Sequence, residues 1–386
     1  MDDSKKKLIR ITTVPQSLRT LLKGQLKYMK SYYDVLAVSS DGTCFEEMLE
    51  EQGNIRGVKI NMSRQITPIQ DLVSLYHLIR LFQKEKPYIV HTHTPKAGTL
   101  GMIAAWLTRV PHRIHTVAGL PLLVATGWKR RLLDVVEKIT YACATRVYPN
   151  SFALKNIIVE NKLAPERKLG VLGKGSSNGI DTTYFSPEAL PATKEELRKK
   201  LGYSLDDFVF VFVGRMVKDK GINELVASFI RLNRENKQVK LLLVGPFEKE
   251  LDPLNIETEE AINTHPNIQW VGFQPDVRPY FKVADALAFP SYREGFPNVV
   301  LQAGAMGLPS IVTDINGCNE IIIEGENGCI IPPQNEEELF LAMRQFITDR
   351  KKVECMAKNA RGLIQSRYEQ QQVWKALLEM YQSLDK

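Results

Sequence analysis

Four residues at fixed spacing carry the clearest chemistry. In VFVGRMVKDKGINELVASF (211–229) a run of apolar residues ends at Gly214, Arg215 follows, and Lys220-Gly221 comes five residues later, ahead of a helical pattern. A glycine at a strand end lets a bulky ligand approach the backbone. An arginine fork can hold two phosphate oxygens and a lysine adds a point charge. Together the two cations can neutralise a diphosphate leaving group, a task given to metal ions in many other phosphate enzymes. A surface turn with solvated cations would carry the same residues.

A second stretch, FPSYREGFPNVVLQAGAMGLPSIVTD (289–314), places Glu294 and Gly295 in a loop, then Phe296 and Pro297 at the start of a predicted helix. Free backbone N–H groups near Asn298, Val299 and Val300 form an anion site in such a place. Glu294 can face a sugar hydroxyl, or merely the helix end. A third stretch, IVHTHTPKAGTLGMIAAWL (89–107), sets His91, His93 and Lys96 at a strand end, both imidazoles on one side. No third ligand lies near them, so a hydrogen-bonded pair is favoured over a metal site.

These residues need rigid elements to hold them. Short apolar runs alternate with amphipathic stretches throughout, the pattern of a parallel α/β sheet. The first half predicts strands at 8–13, 34–39, 88–93, 113–117 and 146–150. Helices are predicted at 18–31, 45–52, 68–84, 98–108, 129–144 and 152–160. The second half restarts at 207–214 with DFVFVFVG, apolar enough for a strand buried on both faces. Strands at 240–245, 268–273, 286–291, 309–314 and 328–333 follow, and only helical patterns come after Pro333. The fold expected is α/β, with two Rossmann-like doubly wound domains facing each other across a cleft where ligands bind. The domains are placed at 1–190 and 191–369, with a helix over 370–386 packing back on the first.

At 386 residues the chain is long enough for two cores. Its 44% hydrophobic and 25% charged content argue against disorder. No apolar run reaches the roughly 20 residues of a membrane span, and the charged N-terminus lacks the pattern of a secretory signal. Five scattered cysteines without a CxxC argue against a disulfide framework or a zinc site and fit reduced thiols in a cytosolic protein. The net charge of +7 is uneven: residues 1–190 carry 27 Lys and Arg against 16 Asp and Glu. Nucleic acid, an anionic membrane or a phosphorylated substrate could use that excess, as could plain solubility. The absence of aromatic interleaving or a reading helix weighs against nucleic acid. Arg19, Lys23, Lys27 and Lys30 beside Leu18, Leu22, Leu26 and Met29 form one basic-apolar stretch, and GWKRRLLDVV (127–136) a second. Either can lie on an anionic leaflet, or bury one stripe and solvate the other.

The two C-terminal motifs resemble the donor site of the family 4 retaining glycosyltransferases of GT-B fold. In that family GR-x4-KG, here Gly214, Arg215, Lys220 and Gly221, holds the donor diphosphate, and a Glu-x7-Glu pair handles the donor. Glu294 matches the first glutamate; the second falls on Gln302, which can still accept from and donate to a ribose diol. His91–Gly98, Gly119-Leu120-Pro121 and GKGSSNGID (173–181) resemble the capsular-polysaccharide branch, whose members extend undecaprenyl-diphosphate-linked sugars. The resemblance implies a nucleotide-sugar donor, UDP-linked, a lipid-linked glycan acceptor, no cofactor and no metal. It also implies peripheral contact with an anionic membrane on the inner face of the plasma membrane.

Beside Gln302, two further departures stand out. Ala118 occupies the place of a family histidine, with His115 three residues earlier, and the usual Gly-Gly of the first loop is absent from TTVPQSLRTLL (12–22). Gln16 and Ser17 are the polar candidates left there, and with His93, Lys96, His115 and Gly119 they make up the acceptor-side set. A UDP-sugar epimerase of the same fold and a catalytically inactive sugar-binding regulator are the alternatives, since architecture alone does not fix the reaction.

Overall fold

The computed structural model describes residues 5–63, 65, 67–120, 122, 125–248, 250 and 252–385. Pro121 of the Gly119-Leu120-Pro121 motif and the first four residues lie outside them. The chain divides into two compact units, Gly179–Gln370 and the remainder on either side of it.

In the first unit six parallel strands form one sheet. They are β1 (Lys7–Ile11), β2 (Asp34–Ser39), β3 (Arg56–Lys59), β4 (Ile89–Thr92), β5 (His112–Val117) and β6 (Arg146–Pro149), in the order β3-β2-β1-β4-β5-β6. The second unit repeats the plan with β7 (Phe208–Val213), β8 (Val239–Val244), β9 (Ile268–Trp270), β10 (Ala286–Phe289), β11 (Ser310–Thr313) and β12 (Gly328–Ile331), ordered β12-β11-β10-β7-β8-β9. Both orders are the doubly wound 3-2-1-4-5-6 arrangement, in which the chain winds one way and then the other from a central pair. The central pairs are β1 with β4 and β7 with β10.

The strands form where β-branched and aromatic residues run together and can be buried on both faces. FVFVFV of β7 is the extreme case, with five of its six residues buried. Gly179–Gln370 closes around this strand with the helices Ile222–Glu235, Asn298–Ala305, Glu336–Thr348 and Arg350–Tyr368. In the other unit the C-terminal helix Gln370–Gln382 sets Leu377, Leu378 and Tyr381 in one cluster with Leu8, Leu18, Leu26, Ile89 and Ile114.

The structure departs from the sequence expectations at three places. The edge strand β3 (RGVK) was not foreseen, because an edge strand half open to water needs no apolar run. The single helix expected over 18–31 is two, Pro15–Leu21 and Gln25–Lys30. Gly24 between them sits at φ +77°, a left-handed turn, and a side chain there would strike the Trp374 ring. Finally, the apolar stripe Leu18, Leu22, Leu26 and Met29 has no exposure at all. It is core, and that basic-apolar stretch offers no apolar face to a membrane.

Candidate functional site

The carboxyl ends of β7 and β10 lie side by side. The chain leaves β7 toward β8 on one side and leaves β10 toward β11 on the other, so the loops after them part and open a crevice. Gly214 and Arg215 follow β7 directly, and Ser291 to Glu294 follow β10. A short 3-10 turn, Lys218–Lys220, leads to Gly221 and the helix Ile222–Glu235. Gly221 adopts φ +70°, and a Cβ on it would stand 2.1 Å from the Pro290 carbonyl oxygen. Only glycine lets the two loops approach this closely.

That approach brings Lys220 to Glu294. Nζ lies 2.5 Å from Oε1 and 3.5 Å from Ser291 Oγ, which itself donates to the same carboxylate oxygen at 3.1 Å. The loops are stitched further by Tyr292 N–H donating to the Asp219 carbonyl (2.9 Å), by Arg293 on the Asp219 carboxylate (2.8 Å), and by Tyr292 Oη donating to Glu224 (2.5 Å). Asn316 donates to the carbonyls of Glu294 and Gly295, and Thr313 Oγ1 to that of Ser291. Glu294 therefore sits in a loop whose backbone is held from three sides.

Pro297 is the N-cap of the helix Asn298–Ala305, and the backbone N–H groups of Asn298 and Val299 precede its first internal bonds. Gln302 stands one turn along from Asn298, on the same face and half-buried. Phe296 is placed differently from its neighbours: its ring is buried in the core, edge-on to Tyr368 at 5.4 Å. Arg215 stands apart from Lys220 and holds Glu248 at 2.7 Å, its side chain largely open to water. The crevice so holds two cations, each already matched to a carboxylate that an anionic ligand would have to displace or share.

In the other unit the acceptor-side residues do not form one group. Gln16 is exposed and Ser17 half-exposed, both on the helix Pro15–Leu21. Gly119 lies in the loop after β5. Lys96 is paired with Asp71. His115 is buried over Gly98, with Nδ1 2.8 Å from Thr92 Oγ1, and burial lowers its pKa to about 4.

His93 belongs to a buried cluster that sequence reasoning missed. Arg10, in the middle of β1, has no exposure. Its Nε and Nη2 donate to His93 Nε2 at 3.1 and 2.7 Å, and Nη2 also donates to Gln25 Oε1. A guanidinium only donates, so His93 carries its own proton on Nδ1. The His91 ring lies against that of His93, centroids 4.3 Å apart and planes tilted by 32°, and bonds Tyr381 Oη (2.5 Å) and Thr116 Oγ1 (2.7 Å). Burial keeps both imidazoles well below their usual range, helped at His91 by His93 and then Arg10 and at His93 by Arg10. The one sequence signal for this cluster was an arginine inside the apolar run LIRI. Among the described residues no three or more His, Cys, Asp or Glu gather as metal ligands.

With this architecture on hand, the comparisons with known proteins are specific. The structure superposes on Anabaena Alr3699/HepE, solved with UDP, at a TM-score of 0.81 over 98% of this chain and 100% of that one, with 19% identity. The fold is GT-B. Residues 193–363 match the model of the glycosyl transferases group 1, and residues 30–175 that of the glycosyl transferase 4-like domain. The capsular polysaccharide biosynthesis glycosyltransferase CapM of Staphylococcus aureus is 36% identical over 376 residues, 97% of this chain and 96% of that protein. A UDP-Gal:α-D-GlcNAc-diphosphoundecaprenol α-1,3-galactosyltransferase of Escherichia coli is 32% identical over 78% of this chain and 77% of its own length. The chain belongs to the group 1 glycosyltransferases.

Proposed function

We propose that this glycosyltransferase moves a hexose or N-acetylhexosamine from a UDP-sugar to an undecaprenyl-diphosphate-linked glycan, with retention of configuration, in capsular or exopolysaccharide synthesis. The observation that carries the reading is the Lys220–Glu294 pair at the β7/β10 crevice, beside the open end of the helix Asn298–Ala305. The S. aureus and E. coli relatives support the pathway, the UDP donor and the lipid-linked acceptor.

Each group has a task. A donor diphosphate brings at least two negative charges, competes with Glu294 for Lys220 and with Glu248 for Arg215, and gains the N–H groups of Asn298 and Val299. Glu294, released from Lys220, is left to accept from a sugar hydroxyl. Gly214 and Gly295 let the ligand approach the backbone, and Gln302 meets the ribose. In the transfer, an acceptor hydroxyl oxygen forms the new bond to the anomeric carbon. The bond from that carbon to the phosphate oxygen breaks, UDP leaves, and the hydroxyl proton passes to the departing phosphate on the same face. No protein nucleophile and no metal is needed, because Arg215, Lys220 and the helix end stabilise the charge that develops on the leaving group. The protein works in this reading as a peripheral enzyme on the cytoplasmic side of the membrane.

A thermal-shift panel of nucleotide sugars tests the donor, since a ligand present at a hundred times its Kd stabilises the fold by about 2.7 kcal/mol. UDP-sugars should raise the melting temperature, and transfer from the best of them should give an α-linked product. Free epimerised sugar in place of a transferred one would point to the epimerase alternative. No response to any activated sugar would end the donor assignment.

A further inference from the structure

One edge of the first sheet is left open. β3 pairs only with β2, and in that parallel ladder the Ile60 N–H donates to the Ser39 carbonyl (2.8 Å). Alternate residues of a strand bond to the same side, so Arg56, Val58 and Ile60 bond toward β2 while Gly57 and Lys59 turn their N–H and C=O groups outward. Neither has a backbone partner on that side among the described residues. The row ends at Asn61, whose carbonyl accepts from Ser74 Oγ. Charged side chains often guard such an edge. Here the Lys59 ammonium is tied to Asp41 (3.1 Å) and Glu46 (2.9 Å), on the face where Gly57 meets Phe45 and Leu49.

On the opposite face Val58 packs with Leu78 and Phe82 of the helix Pro68–Glu85, and a groove of about 720 Å³ lies between strand and helix. Val58, Ile60, Val73 and Leu81 form its apolar part. His77, Arg80 and Lys84 line its helix side, all exposed, and none is in an ion pair among the described residues. No acid lines the groove. The helix's own acids are engaged elsewhere, Asp71 with Lys96 and Glu85 with Lys7 and Arg56.

We propose that β3 and this helix form a docking groove for an extended acidic segment of a partner protein, which adds a strand to the open edge of the sheet. The outward groups of Gly57 and Lys59 supply the ladder hydrogen bonds, and the groove takes every second side chain of the segment. From His77 to Lys84 the helix advances ~10.5 Å at 1.5 Å per residue. Three alternate strand residues span ~13 Å, so acids at every second position meet all three cations. Lipid phosphates have neither this alternation nor donors for the outward carbonyls. A second copy paired edge to edge would set Arg80 and Lys84 beside their own counterparts across a two-fold axis, with no acid to offset them. Such docking is independent of sugar transfer, since none of these residues belongs to the donor crevice.

Fluorescence polarisation of a labelled hexapeptide alternating Glu and Val, titrated with the full chain, tests the groove. It should bind with a Kd of about 1 mM or tighter, and its counterpart alternating Lys and Val should not bind. A copy N-methylated at every residue keeps the charges, loses the ladder donors, and should bind at least about tenfold more weakly. Arg80→Glu/Lys84→Glu should weaken the Glu-Val peptide about tenfold and admit the Lys-Val peptide. Lys59→Pro removes an outward N–H that takes no part in the pairing with β2, and should weaken binding about fivefold. Lys59→Thr makes the same change of charge, keeps that N–H, and should bind as wild type does. All of these positions are exposed, so the variants should fold, which their melting temperatures check.

Equal binding of the N-methylated peptide, or equal affinity of the Lys59→Pro and Lys59→Thr variants, would reduce the contact to charge alone and overturn the added strand. So would wild-type protein that ignores the Glu-Val peptide, whether it binds phosphatidylglycerol vesicles instead or forms a dimer that covers β3. Arg80→Glu/Lys84→Glu should keep the wild-type rate of sugar transfer. If that variant loses the peptide and keeps transfer, both readings stand; if wild-type protein binds the peptide but transfers no sugar, only the proposed function falls.

Discussion

The two sheets share one strand order, yet their central pairs hold charge in opposite ways. Beside β7 and β10 the charged groups stand beyond the strand ends, on loops: Arg215, Lys220 and Glu294 are all in reach of water. Beside β1 and β4 they stand inside the strands. Arg10 and His91 are wholly buried, and Tyr381 of the C-terminal helix closes over them. The doubly wound order provides a crevice in either case. What fills it depends on whether the polar residues fall after the last ladder hydrogen bond or before it. Loop charges are available to a ligand, whereas strand charges become part of the core: Arg10 gives Nε and Nη2 to the neutral His93 and Gln25 and keeps a buried Nη1 with no partner among the described residues.

The comparison predicts that function and stability separate cleanly between the two places. Lys220→Ala should lower kcat by about 10²–10³, the loss typical of one electrostatic contact to a developing charge. Its melting temperature should barely move, because a partly exposed ion pair contributes under about 1 kcal/mol. Arg10→Ala should behave in reverse. It removes every donor to His93 Nε2 and Gln25 Oε1 within this cluster and leaves a void, a loss on the order of 3 kcal/mol in denaturant unfolding. Transfer per folded molecule should stay within a few-fold of wild type. A stable Arg10→Ala protein with no activity would break the comparison and make the buried cluster part of the site.

Legibility in the sequence followed the same division. The donor loops could be read because glycine, proline and charge mark them, and β7 because six consecutive residues suit burial on both faces. The Lys220–Glu294 contact could not, since it joins residues 74 apart and depends on how close Gly221 lets Pro290 come. Phe296 shares a motif with Glu294, yet its ring turns into the core, a choice made by Tyr368 on a distant helix. The two basic-apolar stretches look alike as strings of residues. Only packing reveals that Leu18, Leu22, Leu26 and Met29 face inward while Trp128, Leu132, Val135 and Ile139 face out. Spacing identifies a stripe but not the side of the helix against which the rest of the chain folds.

Acid should sharpen the contrast. His115 is held neutral by burial with its pKa at about 4, and His91 and His93 lie well below their usual value. Unfolded, each would titrate near 6.5. Below that pH the unfolded chain binds protons that the folded chain refuses, so stability is complete above pH 6.5 and falls as the pH falls. For His115 alone the loss is about 2 kcal/mol by pH 5 and levels off below about pH 4. Urea unfolding at pH 7 and pH 5 measures it. His115→Gln should flatten part of the slope, and Lys220→Ala should leave it unchanged, because the open crevice contributes none of these imidazoles.

The smallest effect is expected at Gln302, the second position of the Glu-x7-Glu pattern that the sequence otherwise resembles. Gln302→Glu restores the carboxylate to a helix face one turn from the free N–H groups of Asn298. In the proposed donor pose an anion there is favoured by the helix end and would accept from both ribose hydroxyls, but it would also stand near the path of a diphosphate of the same sign. The two terms oppose each other, so KM for the donor should change by less than about tenfold, with kcat within about threefold because the ribose is bound equally before and during transfer. Steady-state kinetics with a fixed acceptor gives both numbers. A large fall in kcat with unchanged KM would mean that Gln302 acts on the departing phosphate rather than on the ribose, and would extend the charge-sensitive part of the open crevice by a full helical turn.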